Sequence, residues 1–571
     1  MIQNVLSIIG ALLPAYVLRT LLIISLPVDA NNGAMMLINF IIVCVFAVNV
    51  YAIRKLFLET DWRRIRIASV GGFLFSLFFV AGAYLSCAEG TGFWISIMQI
   101  VFLSLLTIPI TNLLIQAADY LLDRYVTPNP GADFLLSDGA YFAVNAGIVL
   151  LLTIPVFLSV WPGNFTADQV EQLSGYKGEV LNASQSPLYT LLVAAFANIG
   201  KASGDVAGGL AYLTFIQMII VSVTIGYAVV FLRRRAVHYA FRIGFAAFFV
   251  FFPANLYMSV SASAYTMFGC FFAMFMVFFF RVMREETKWY EYVCFLISGA
   301  IACLLNSFFF WPALVGGLFI AILRYGLMEK IKTALLIIGV IALYISCDYV
   351  IATAGDMVYE KSSFWEKTGI ILPESSREYL EQNLGNYYLL ADYEGDSMVG
   401  EHEMSSNNDY SQLFGQEDLT DDLAYSFIDS YKMNRRAERL AKGPDKSGKL
   451  IVTIPEEKRV AVGRNLFPLY SDMMRFIAGD ELTAFPGLGI MMLGAVWVIL
   501  LIILLLVGLY RKAGAGRKVL IFPTLYLLVM SLSAAPSYEI IYAVAMTIPL
   551  YIGASVGDSA PGRWNRRLVM R

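Results

Sequence analysis

The chain has 571 residues, of which 58% are hydrophobic and 15% charged, with a formal net charge of −2. Soluble proteins carry about 25% charged and about 45–50% apolar residues, so this composition excludes a soluble enzyme and a disordered chain. The near-neutral balance offers no basic field for nucleic acid, and no such partner is expected.

The six cysteines (Cys44, Cys87, Cys270, Cys294, Cys303, Cys347) lie in or beside apolar runs without metal spacing. They read as small buried hydrophobes rather than a disulfide framework. His238 and His402 are the two histidines, so a histidine-based metal site is not expected and no metal ligands are assigned. The fold class is that of an all-α polytopic membrane protein.

Apolar stretches of about 17–25 residues cross a hydrocarbon core of roughly 30 Å as helices. About fourteen run in order over 4–27, 34–54, 67–87, 93–118, 139–161, 208–232, 239–257, 263–282, 290–310, 311–327, 331–352, 484–509, 518–535 and 539–557. The first has no basic start and no small-residue cleavage site, so it reads as an anchor. Pro187–Gly200 is too short for a comfortable crossing and reads as an interfacial or re-entrant helix.

Cytoplasmic loops retain lysine and arginine. Alternating spans bring Arg54–Arg66, Arg233–Arg235, Arg281–Lys288, Arg324–Lys332, Arg511–Lys518 and Arg563–Arg571 to one side. Both termini are then cytoplasmic, and a bacterial plasma (inner) membrane is the expected location. Four regions follow. Accessory spans cover 1–138, and a core covers 139–352 with its first external loop at 162–205. An extracytoplasmic domain covers 353–483, and C-terminal spans with a basic tail cover 484–571.

The first external loop carries the chemistry. Trp161-Pro162-Gly163 is followed by Asn164-Phe-Thr-Ala-Asp168-Gln-Val-Glu171. Thr166 can cap a helix with Asp168 in its first turn, where the helix dipole alone favours an acid. Glu171 follows at i+3, on the same face. Further on, Gln185-Ser186-Pro187-Leu188-Tyr189-Thr190 opens the short helix.

This arrangement resembles the first external loop of the GT-C superfamily, multi-span glycosyltransferases that use polyprenyl-phosphate-linked sugars. In that family an acid on a juxtamembrane helix precedes a His-Pro-Pro-Leu-Tyr-like stretch. Asp168 matches the acid, and Pro187-Leu188-Tyr189 matches the end of the stretch. Ala535-Pro536-Ser537-Tyr538-Glu539 is similar to the family's late external turn. The resemblance covers roughly 139–327 and, more loosely, the last spans, with the first four spans as an addition. Three places depart from it. Gln185-Ser186 replace His-Pro, Ser261-Ala262-Ser263-Ala264-Tyr265 lacks the acid that many members carry there, and Asn306-Ser307 stand where relatives often show arginine.

The resemblance implies a GT-C-like core and transfer of a sugar, with inversion, from a polyprenyl-phosphate donor to an acceptor hydroxyl. Transfer takes place on the extracytoplasmic face, and the acceptor is a saccharide, a lipid or a protein. Attack by a hydroxyl needs a positioned base, and Asp168 supplies it, with Glu171 orienting the acceptor. The leaving phosphate needs cations, for which Lys177, Arg464 and Arg475 are the candidates. Gln185, Tyr189, Tyr538 and Glu539 are expected along the substrate groove. A divalent cation is compatible with this chemistry and not required by these residues. The bilayer and a lipid-linked donor are the expected partners.

Three other readings stay open. A transporter or flippase of a lipid-linked saccharide fits the span count, although no internal repeat is visible. A polysaccharide polymerase would carry arginine-rich outer loops, whereas the large loop here is acidic in its first half (Asp392, Glu394, Asp396). A non-catalytic relative serving as an assembly partner follows from the missing second acid.

Overall fold

In a bilayer every buried backbone group must be satisfied within the chain, which leaves helices as the solution for long uncharged apolar runs. The computed structural model of this chain describes residues 2–25, 32–85, 93–122, 136–159, 163, 186–203, 206–235, 237–283, 288–324, 326–354, 494–511, 520–533 and 538–559. These residues form helices joined by short turns, with no strand among them. The N-terminal group is α1 (Ile2–Ser25), α2 (Asn32–Phe57), α3 (Trp62–Leu85) and α4 (Phe93–Leu121). Then come α5 (Asp138–Ser159), α6 (Pro187–Ser203), α7 (Val206–Arg234), α8 (Tyr239–Phe251), α9 (Pro253–Val260), α10 (Ala264–Val282) and α11 (Trp289–Leu305). The last group is α12 (Gly317–Ile322), α13 (Leu327–Ala354), α14 (Gly494–Tyr510), α15 (Ile521–Ser533) and α16 (Tyr538–Ser559).

Among the described residues, seven helices are long and apolar enough to cross a membrane, and the bent pair α8–α9 makes an eighth. The chain is an integral membrane protein. Its large core gathers α5 to α16 around the phenylalanine-rich face of α10, where Phe268, Phe272 and Phe275 are fully buried against Phe309, Phe522 and Tyr526. A small second cluster of Val17, Leu21, Val80, Leu103 and Leu106 holds α1, α3 and α4. Burial separates centre from rim. It takes 72% of the apolar stretch of α10 and 11% of that of α2, so α2 is left to face lipid. Along α1 and α2, Arg19 Nε donates to Asn39 Oδ1 at 2.9 Å, a partner for a charge that is expensive inside a span.

Three elements differ from the sequence expectation. The stretch 239–257, expected as one straight span, breaks between α8 and α9 with a bend of 64°. Pro253 opens α9 and has no N–H to give to the turn before it. Phe248 O, which accepts from Phe252 N, also accepts from Asn255 Nδ2 at 3.0 Å, so the bend is tied across the break. The stretch expected to run to residue 310 ends at Leu305, where Asn306 Oδ1 accepts from Phe308 N and Asn306 Nδ2 donates to Tyr526 OH at 2.8 Å. One 3₁₀ turn at Ser307–Phe309 follows, and the short tenth stretch, 311–327, passes through a π-helical turn at Pro312–Gly316 and continues as α12. The short segment at Pro187 is helical, as expected, and runs on to Ser203.

One end of the bundle is basic, and its arginines are tied down. Arg233 and Arg234 pair with Asp138, Arg281 with Glu291, and Arg324 with Glu329, each pair joining one helix end to another. The N-terminal group is fastened to α14 in the same way. Arg511 Nε meets Asp119 Oδ1 at 2.5 Å and Arg63 donates to Leu509 O at 2.8 Å, while Arg64 binds Glu59 and Asn112 inside the N-terminal group itself.

The joint between α3 and α4 depends on Gly72. A Cβ there would lie 2.6 Å from the backbone of Ile108. The close approach lets Thr107 Oγ1 reach both Gly72 O and Ser76 Oγ at 2.6 Å. Small residues that bring two backbones together are a common basis of helix association in lipid. Gly72→Val is expected to push α4 away and lower stability by about 1–3 kcal/mol, read as thermal unfolding in detergent.

Asp61 caps α3, its Oδ1 accepting from Arg63 N at 3.0 Å and Arg64 N at 3.3 Å. A hydrogen bond from Tyr510 holds its carboxyl below the usual 3.8; desolvation opposes it, and the two backbone bonds and the charge of Arg63 add to the lowering. A depressed folded value means that its stabilisation is complete above the ordinary pKa and is lost as pH falls through the folded one. Asp61→Asn is therefore expected to flatten the acid side of a stability-against-pH curve below about pH 4 and leave its neutral side almost level.

Candidate functional site

The end of the bundle opposite the arginine pairs holds a buried, uncharged polar cluster. Its platform is one face of α7, where Thr214 and Gln217 stand one turn apart at i and i+3 and are both fully buried. Three other elements come to that face.

The first is the end of the α5 connection. Gly163 has φ 131°, and a Cβ on it would lie 2.7 Å from Thr214 Oγ1 and 3.2 Å from Val260 O. Only glycine tolerates both that backbone conformation and that approach. The second is the first turn of α6. Tyr189 is fully buried, and its hydroxyl reaches Gln217 Oε1 at 3.5 Å. The third is the extended turn between α9 and α10, Ser261-Ala262-Ser263, whose residues are all buried. Gln217 Nε2 donates to Ser261 O at 2.5 Å.

Such a turn inside a helical bundle leaves backbone groups to be satisfied, and side chains do it. Ser263 Oγ accepts from Tyr265 N at 3.2 Å and so caps α10. Thr266 Oγ1 donates to Met258 O at 2.9 Å, and Ser259 Oγ donates to Asn255 O at 2.7 Å. At the start of α6, Thr190 donates to Ser186 O from both its N–H and its hydroxyl, each at 3.0 Å. Ser186 Oγ is buried and has no hydrogen-bond partner among the described residues. The cluster holds no charged side chain among the described residues that form it. It can anchor and orient neighbouring segments, while proton transfer at neutral pH needs a group from elsewhere.

Of the residues singled out in the sequence, Tyr189 is placed in this cluster, with its ring inside the bundle and not open to solvent. Tyr538 and Glu539 open α16, and their side chains lie outside what the structure describes. Asp168, Glu171, Lys177, Gln185, Arg464 and Arg475 lie outside the described residues, as does nearly all of the expected extracytoplasmic domain. Among the described residues no group of three His, Cys, Asp or Glu side chains gathers as a metal site would require.

Gln217 and Thr214 were not singled out. Their signal is faint but present. Gln217 is the one carboxamide in the 29-residue apolar helix α7, with a hydroxyl a turn before it.

No family model and no curated protein matches this chain. Among solved structures it is similar to ArnT from Cupriavidus metallidurans in the apo state, with a TM-score of 0.29 and 12% identity over 74% of this chain and 78% of that one. The same protein bound to undecaprenyl phosphate gives a TM-score of 0.28 and 11% identity over the same shares. Superpositions this loose assign no family.

Gly163→Ala tests the anchor of the α5 connection. Forcing a Cβ into that φ and against Thr214 is expected to cost at least about 1–3 kcal/mol, seen as a lowered unfolding temperature of the detergent-solubilised protein.

Proposed function

We propose that this protein is a membrane glycosyltransferase of GT-C type. It moves a sugar from a polyprenyl-phosphate donor to an acceptor hydroxyl on the extracytoplasmic face. One observation supports this reading above the others. Two segments that carry the sequence resemblance, at Gly163 and at Tyr189, meet on the Thr214–Gln217 face of α7, which also holds the Ser261–Ser263 turn, a place where the sequence departs from the family. A loop that leaves from Gly163 and returns at Ser186 has both ends held at that face. Asp168 is five residues from Gly163, so the chain keeps it within about 18 Å of that anchor.

In the proposed reaction Asp168 takes the proton of the acceptor hydroxyl as its oxygen attacks the anomeric carbon. The bond from that carbon to the phosphate oxygen breaks on the opposite face, the phosphate leaves with the electron pair, and configuration inverts. Glu171 orients the acceptor. Lys177, Arg464 and Arg475 balance the charge of the departing phosphate, and Gln185, Tyr538 and Glu539 line the groove. Tyr189 acts from inside the bundle as a strut. The arginine-paired end is cytoplasmic in this reading, with both termini there and a plasma membrane as the location. The proposed regions are the accessory spans 1–138, the core 139–352, the extracytoplasmic domain 353–483 and the C-terminal spans 484–571.

The test is reconstitution of the full chain in vesicles with radiolabelled polyprenyl-phosphate sugars extracted from cells that make it. Label is expected to pass to an acceptor fraction, and Asp168→Asn is expected to lower that rate at least about 100-fold with folding intact. Near-full transfer by Asp168→Asn would remove that residue from the mechanism. Label that crosses the bilayer still attached to its lipid would mark a flippase instead.

A further inference from the structure

Gln217 is fully buried in the first half of an apolar helix. A leucine there would serve the span as well, and a buried carboxamide costs free energy unless its donor and acceptor are both used. Both are used here, and on different elements. The Nε2 group donates to Ser261 O in the α9–α10 turn, and Oε1 accepts from Tyr189 OH in the first turn of α6. Otherwise α6 rests on α7, α11 and α13. The carboxamide is a polar tie between α6 and the extended turn.

We propose that Gln217 is a positioning residue that pins the first turn of α6 to the Ser261–Ser263 turn and so sets the element carrying Tyr189 against the Gly163 anchor. It touches no substrate. Its effect on transfer runs through the two elements it joins, and that consequence rests on the glycosyltransferase reading. The pinning itself does not.

Two substitutions separate this role from general packing. Gln217→Leu keeps the volume and removes both hydrogen bonds. Gln217→Glu keeps the acceptor but donates to Ser261 O only when protonated. Burial favours the neutral acid, which lifts the carboxyl above the ordinary glutamate range of about 4.3. Of the described groups on this face, Tyr189 is titratable, and Thr214, Ser261 and Ser263 are neutral. Gln217→Glu therefore behaves as glutamine at acid pH and loses its donor at alkaline pH.

The readout is a thiol at Ser186, which is 5% exposed and next to the pinned turn. The full-length Ser186→Cys protein in vesicles is treated with a water-soluble maleimide, and modification of the peptide carrying residue 186 is followed by mass spectrometry. Adding Gln217→Leu is expected to speed modification roughly tenfold, the effect of losing buried hydrogen bonds. With Gln217→Glu, the rate relative to the Ser186→Cys protein at the same pH is expected to be near one at pH 5.5 and to rise toward the leucine value by pH 9. Transfer by Gln217→Glu without the added thiol, set against the wild-type profile, is expected to be lost as pH rises.

Equal modification rates in all three backgrounds overturn the proposal, whatever the transfer assay gives. A pH-independent effect of Gln217→Glu also overturns it, because packing alone would be responsible. If the wild type transfers no sugar, the glycosyltransferase reading fails, and the modification rates still decide the role of Gln217.

Discussion

The extended Ser261–Ser263 turn sits inside a bundle where water cannot supply hydrogen bonds, and much else in the structure answers that constraint. The turn exists because Pro253 bends the chain out of line and α9 ends after eight residues. The backbone of the turn and of the two helix ends it joins must then be satisfied by side chains. Ser263, Thr266 and Gln217 each meet part of that need, and Gln217 carries the link on to Tyr189. A local break in one helix thereby becomes a shared joint for α6, α7, α9 and α10. Val260 O adds the α5 connection, since it stands where a side chain on residue 163 would have to go.

The opposite end is built on different physics. There the joints are ion pairs between helix ends, such as Arg281 with Glu291 and Arg234 with Asp138. A charge at the edge of the bundle keeps part of its hydration while it holds two helices in register, which costs less than burying it deeply. Neutral hydroxyls and carboxamides suit the deeper joint, and charges suit the rim. The functional proposal uses this division, placing a neutral scaffold under a loop that brings its own carboxylate.

Much of the fold was legible in the sequence because apolar length and the rhythm of basic clusters are coarse, additive signals. The helices α1, α5, α7, α10 and α13 lie where uninterrupted apolar runs put them. The breaks were harder to read. Pro253 looks in sequence like the tolerated prolines Pro109 and Pro155, which stay inside α4 and α5. What separates them is tertiary, namely that Asn255 and the neighbouring hydroxyls support a bend at residue 253. The polar cluster was legible only in part. Motif residues flagged Tyr189 and the segment after Gly163, since short loops with Pro, Gly and acids stand out in an apolar chain. Gln217 was missed because a single amide within a span carries no pattern, and its meaning comes only from partners 28 and 44 residues away.

The clasp between Asp119 and Arg511 spans 392 positions along the chain. At a synthesis rate of about 5–20 residues per second, the arginine leaves the ribosome about 20–80 s after its partner. For that interval α3 and α4 stand in the bilayer without α14, which later closes over Gly71 and takes the guanidinium of Arg63 on its last turn. The first four helices are therefore made well before α14 and are locked to it only afterwards. Their ionic end must stay hydrated at the membrane surface until Arg511 has been made.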